Sequence, residues 1–234
     1  MNSKFKTLSA SLLLAGTLGL ANQAHALNID TFDTTTQFLA SPVAVAGSQV
    51  AAPEAIGGFR KLDIQSTNGF TTIAANTSPN FGSLTVSNNT NVISTTSVLW
   101  NANNGSFGGL GGVDLTDGGA STALLLGISS IDVGLVTIKF DIKDTLAQGG
   151  DIATLTLSGL NVGLQTFLFS SFTNYAAVDF TKIQRIQMTI FAGISSDLAL
   201  DLVETNRELP EPSSLVLMGL GLAGLSCFRK RKNA

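Results

Sequence analysis

Leu135-Val136-Thr137-Ile138-Lys139-Phe140-Asp141-Ile142 alternates polar and apolar residues without a break. Successive side chains of a strand point to opposite faces, so Val136, Ile138, Phe140 and Ile142 share one face, and Leu135, Thr137, Lys139 and Asp141 share the other. The first set is the predicted core. The same period of two runs outward from this stretch. Residues 198–203 (LALDLV) set Leu198, Leu200 and Leu202 against Ala199, Asp201 and Val203, so Asp201 points away from the leucines. Residues 59–67 (FRKLDIQST), 70–74, 82–87 (GSLTVS), 93–100, 123–128, 152–157 (IATLTL), 165–169 and 183–191 are short, rich in β-branched residues and often alternating. Gly, Asn, Ser and Asp clusters at 101–112, 116–119 and 148–151 punctuate them. About ten short strands separated in this way predict an all-β fold, an antiparallel β-sandwich or jelly roll. Helix is scarce. Residues 41–52 are small and offer only a floppy candidate, and 180–183 open with a single turn at most.

Both ends of the 234-residue chain depart from this pattern. Lys4 and Lys6 precede an apolar stretch at 8–20, and Ala24-His25-Ala26 supplies an A-x-A cleavage site, which predicts a signal peptide over 1–26 and a mature chain beginning at Leu27. At the other end Pro210-Glu211-Pro212 leads into an uncharged, Leu- and Gly-rich run at 215–228, closed by Arg229-Lys230-Arg231-Lys232. The run is shorter than the roughly 20 residues that cross a bilayer comfortably, and with Ser213, Ser214 and a snorkelling basic end it spans a thin membrane marginally. Four consecutive cations stay cytoplasmic by the positive-inside bias, which places everything before Pro210 on the far side. Gly219, Gly221 and Gly224 satisfy G-x-G-x-x-G, yet no strand precedes them and no βαβ unit follows. The expected domains are therefore a signal peptide at 1–26, a β-sandwich at 27–208 and a sorting tail at 209–234.

The tail resembles the PEP-CTERM sorting tail of Gram-negative bacteria, with motif, short Gly/Leu helix and basic cluster in the right order at the chain end. That resemblance implies that exosortase, a membrane-embedded cysteine transpeptidase, reads Pro210, Glu211 and Pro212. It also implies an inner-membrane-anchored precursor released to the cell surface or extracellular matrix, in bacteria that make exopolysaccharide and biofilm. Two further stretches, 56–62 (IGGFRKL) and 169–172 with 178–186 (FSSF, VDFTKIQRI), look like segments of exported proteins of this kind. The second is similar to late strands of galactose-binding-like jelly rolls.

Composition narrows the chemistry of the domain. Between 27 and 208 there are 15 Asp or Glu against seven Lys or Arg, a net of −8. Nucleic acids and anionic membrane surfaces demand clustered cations, so neither is an expected partner. The only His is His25 and the only Cys is Cys227, both outside the domain. Ser-His-Asp and Cys-His hydrolysis, His/Cys zinc sites, haem ligation by His and disulfides are excluded there. A glycosidase would need two carboxylates across a cleft, and the domain has acids but only Trp100 and Tyr175 as Trp and Tyr. The expectation is a non-enzymatic protein.

Three constellations remain. Trp100, with Asn101 and Asn103, forms either a sugar-stacking platform edged by amides, which would serve exopolysaccharide, or a core Trp at a strand end. Asp30 and Asp33 open the domain and Asp201 and Glu204 close it. Terminal strands of jelly rolls often neighbour each other, so these oxygens form either a structural Ca²⁺ site or solvated surface acids. Asp114 and Asp117 are a second acidic pair, at the end of a glycine loop (107–114) that approaches a calcium-binding nonapeptide but carries its Asp one residue late. No other cofactor is expected. Arg60, just after Gly57-Gly58, is expected to be a buried arginine paired with a strand carboxylate such as Asp63 or Asp141.

Overall fold

The computed structural model describes residues 26–42, 45–78, 80–102, 109–132, 135–145 and 150–206. The signal-peptide stretch, Asn103 and the tail with Pro210, Glu211 and Pro212 lie outside them. Thirteen strands run in chain order: β1 (Asn28–Asp30), β2 (Gln37–Ser41), β3 (Val45–Ala51), β4 (Phe59–Ser66), β5 (Thr71–Thr77), β6 (Asn80–Asn88), β7 (Ser94–Trp100), β8 (Ala123–Ile131), β9 (Val136–Asp144), β10 (Ile152–Ser158), β11 (Gly163–Leu168), β12 (Ile183–Ala192) and β13 (Asp197–Thr205). Among the described residues helix is confined to three single 3₁₀ turns, at Ile56–Gly58, Asp117–Gly119 and Phe169–Ser171. Residues 180–182 make a turn and bend ahead of β12, with no helix, as their sequence predicts.

The strands form an antiparallel two-sheet sandwich. One sheet is ordered β11-β8-β13-β6-β5-β2, with β1 pairing β13, and the other β10-β9-β12-β7-β4-β3. Alternation decides which side of each strand meets the other sheet. In β9 the burial repeats strictly, with Val136, Ile138, Phe140 and Ile142 at 2% exposure or less. They meet Leu62, Ile64 and Val98 of β4 and β7, Met188 and Ile190 of β12, and, from the facing sheet, Leu124, Phe167 and Leu200 in one apolar core. The Phe140 and Phe167 rings join the two layers edge to face, 4.9 Å between centroids. Each such side chain withdrawn from water contributes about 1.5–3 kcal/mol before entropy is charged against it.

Residues 41–52 correct the sequence reading. The described residues among them hold no helix, because 45–51 pair in full register with β4, from Val45 opposite Gln65 to Ala51 opposite Phe59. β3 is an edge strand whose residues are half-buried or exposed on both faces. The apolar alternation that would mark a strand is absent for that reason.

The two chain ends of the sandwich meet. β1 pairs antiparallel with the end of β13, Asn28 opposite Glu204 and Asp30 opposite Val203. Leu27 donates its N–H to Thr205 Oγ1 at 3.0 Å and accepts from the Thr205 N–H at 3.0 Å. Asn206 then fixes the chain where it leaves the fold. Its Oδ1 accepts the N–H groups of Thr122 and Ala123, both at 2.7 Å, and its carbonyl accepts from Ser121 Oγ at 2.6 Å.

Candidate functional site

Trp100 ends β7 on the inward face and is fully buried, so its ring is a core element with no open face for a sugar. Its indole N–H donates to Asp30 Oδ2 at 2.8 Å. Asn101, next along, is only partly exposed.

Asp30 likewise belongs to the interior. Arg60 Nη1 donates to both its oxygens, at 2.9 and 3.1 Å, and the Phe32 N–H donates to Oδ1 at 3.0 Å. Arg60 is itself fully buried, giving its Nε to Gln37 Oε1 at 3.2 Å and Nη2 to the Thr35 carbonyl at 2.8 Å. Glu54 stands 3.5 Å from Arg60 Nη1 and accepts from the Thr35 N–H and hydroxyl. The guanidinium also lies 5.3 Å from the Phe32 ring centroid. A planar fork of five donors suits this task, since oxygens of four residues surround it. Arg60 is thus buried as expected, with different partners. Asp63 and Asp141 are occupied outside the core by Lys61 (2.9 Å) and Lys139 (2.7 Å).

The four acids of the proposed Ca²⁺ site are not gathered. The terminal strands are neighbours, but Asp30 turns inward beside Val203 while Asp33 and Asp201 are exposed. Glu204 is half-buried on the outer face, where burial pushes its carboxyl above 4.5. Among the described residues no group of three or more His, Cys, Asp or Glu side chains is placed to hold a metal ion. Asp114 closes a turn of its own: Oδ1 accepts from the N–H and hydroxyl of Thr116 at 2.7 and 2.6 Å, and Oδ2 from the Gly118 N–H at 3.0 Å. Burial pushes this carboxyl up, but those hydrogen bonds outweigh it and leave it below 3.8.

A site that sequence reasoning passed over lies at one end of the sandwich. The turn at Asp117–Gly119, the start of β8 and the excursion between β11 and β12 enclose a cleft of about 550 Å³. Its floor is aromatic. Phe180 packs 4.7 Å from Phe169 and 6.1 Å from Phe172, all three buried, and Tyr175, 46% exposed as a residue, lies with its ring 5.5 Å from Phe180. Leu168 adds an exposed apolar side chain at the end of β11. Ser170, Thr181 and Thr122 bring hydroxyls to the wall, and Asp179 brings a carboxylate. Asp179 accepts from the Thr181 hydroxyl (2.6 Å) and N–H (3.1 Å) and stands 3.2 Å from Lys182 Nζ. The Thr181 hydroxyl bond, its N–H and Lys182 hold this carboxyl below 3.8. The buried Asp144 accepts the Asp179 N–H at 2.9 Å, which ties this loop to the end of β9.

An exposed aromatic residue, flanked by hydroxyls and one carboxylate, is equipped to bind a partly apolar, hydroxyl-rich molecule. The sequence signal was present in part. Tyr175 sits between the two stretches, 169–172 and 178–186, that resemble late jelly-roll strands. What no periodicity shows is that Thr116 and Thr122, some fifty residues earlier, close the other wall.

Residues 208–232 match the family described as the PEP-CTERM protein-sorting motif. No curated protein is significantly similar in sequence to the chain. Among solved structures, the chain is similar to a family 11 carbohydrate-binding module of a cellulosomal cellulase of Clostridium thermocellum, with a TM-score of 0.40, 11% identity, and coverage of 81% of this chain and 99% of that one. It is also similar to an exo-beta-agarase (TM-score 0.40, 11% identity, 80% of this chain and 25% of that one). A family 12 xyloglucanase from Bacillus licheniformis gives a TM-score of 0.38 at 12% identity, over 73% of this chain and all (100%) of that one.

Proposed function

We propose that the chain is an exported, non-enzymatic protein that exosortase sorts to the cell envelope of a Gram-negative bacterium. There its β-sandwich serves as a surface or matrix component linked to exopolysaccharide. The observation that carries this reading is the match of residues 208–232 to the PEP-CTERM protein-sorting motif. The physics of the tail supports it. By its sequence, an apolar run at 215–228 is too short for a firm permanent anchor, and Pro210 and Pro212 each fix φ and disfavour helix at the preceding residue. An extended segment at the membrane face is accessible to a membrane-embedded peptidase.

The non-enzymatic part is supported by the cleft's chemistry. Asp179 is the single acid among the residues lining it, whereas glycoside hydrolysis needs two carboxyl groups facing one bond. A glycan-binding role is favoured over a glycosidase by the same cleft, with Tyr175 in the place the sequence offered to Trp100. The sorting reading is tested by Glu211→Ala in the native host. The variant is expected to remain in the inner-membrane fraction while the wild type reaches the surface; equal surface yields would contradict it.

A further inference from the structure

We propose that the cleft beside Tyr175 binds a neutral pyranose polymer, with the Tyr175 ring stacked on one sugar face and Ser170, Thr181 and Asp179 taking the sugar hydroxyls. This rests on the glycan-binding reading above and deepens it by naming the class of polymer and the residues that would take it.

Four observations point to it. First, the volume of about 550 Å³ is that of an ordinary small-ligand site. Second, Tyr175 is the domain's only tyrosine, and it is exposed without being loose. Its N–H donates to the Phe172 carbonyl at 3.3 Å, its ring rests against Phe180, and the turn beyond it is closed by Ala177 N–H to Asn174 O at 2.9 Å with Asn174 at φ 60°. A ring held before binding loses little entropy on binding, and its flat face matches the C–H face of a pyranose. Third, Ser170 and Thr181 stand exposed at the wall, and ionised Asp179 is an acceptor for sugar hydroxyls, the stronger kind of hydrogen bond. Fourth, charge selects the class. Among the described residues lining the cleft Asp179 is the one charged side chain, its charge partly offset by Lys182 at 3.2 Å, and the domain as a whole is strongly acidic. A uronic-acid or sulfated polymer would be repelled and a neutral one would not.

Affinity electrophoresis of the full chain in mild detergent tests this, in native gels containing laminarin, xyloglucan or galactan as neutral polymers and alginate or polygalacturonate as acidic ones. Retardation is expected from at least one neutral polymer and from neither acidic one. Tyr175→Ala should weaken that binding about tenfold, equivalent to about 1.4 kcal/mol, and Tyr175→Phe should retain it. Ser170→Trp, placed at an exposed position to fill the cleft, should block binding with an unchanged melting midpoint, which keeps the test valid if Tyr175→Ala fails to fold. Absence of retardation by every neutral polymer, retardation by acidic polymers alone, or full binding by Ser170→Trp would overturn the proposal. Any of these results in a protein that is still cut at its tail would leave the sorting reading standing.

Discussion

Arg60 shows what one residue asks of this fold. Its guanidinium is fully buried, and the oxygens around it come from Asp30, Gln37, Thr35 and Glu54, so β1, β2, the loop between them and the loop before β4 converge on a single cation of β4. Removing Asp30 would take away both of the carboxylate hydrogen bonds to Arg60 and leave that buried cation only Glu54, at 3.5 Å, as a charged partner. Asp30→Ala is therefore expected to lower stability by about 3–5 kcal/mol in denaturant unfolding, well beyond the effect of an exposed acid such as Asp33→Ala. The burial of Arg60 was legible in the sequence and its partner was not, although alternation held the answer. Residues 60 and 63 are three apart in one strand and face opposite ways, so Asp63 is excluded from the core that holds Arg60. Asp30 replaces it from a three-residue strand too short to show a period.

Two carboxylates should titrate stability in opposite senses. Burial pushes Asp30 above 3.8 against the pull of Arg60, Trp100 and the Phe32 N–H. Its native state takes up a proton before the unfolded chain does, so its contribution is complete below about 3.8 and is lost as pH rises through the native value. Asp114 lies below 3.8, so its contribution is complete above about 3.8 and is lost as pH falls through the native value. Urea unfolding at a series of pH values should show the wild-type advantage over Asp114→Asn narrowing below about pH 4, while the gap to Asp30→Asn moves the other way.

At the scale of elements, legibility followed burial. β9 lies inside its sheet, with one face on the core, and its alternation gave its faces away. β2 and β3 are edge strands, where half-exposed Ala, Gly and Ser carry no pattern, and they form because the partner strand offers its backbone groups. The cleft was illegible for a related reason: its walls come from separate excursions joined only by the fold. Tight approaches between elements are testable. A side chain on Gly193 would place its Cβ 2.8 Å from the Leu135 carbonyl oxygen, closer than side-chain carbons come to backbone. Gly193→Ala, between β12 and β13, should cost about 1–3 kcal/mol, read as a lower urea midpoint at unchanged slope. Far-UV circular dichroism of the surface form should show β structure with far less than the roughly one-third helix of an average globular domain.

At the scale of the whole molecule, the account joins a β-sandwich whose ends are tied together to a tail matched by a sorting motif over 208–232. β1 pairs β13, and Asn206, two residues before that motif begins, is fixed by Ser121, Thr122 and Ala123. The central claim is that exosortase removes this tail, and intact-mass spectrometry of the protein recovered from the native cell surface tests it most directly. The account predicts a chain that begins at Leu27 and lacks residues 215–234; a surface form that still carries Arg229-Lys230-Arg231-Lys232 would contradict it.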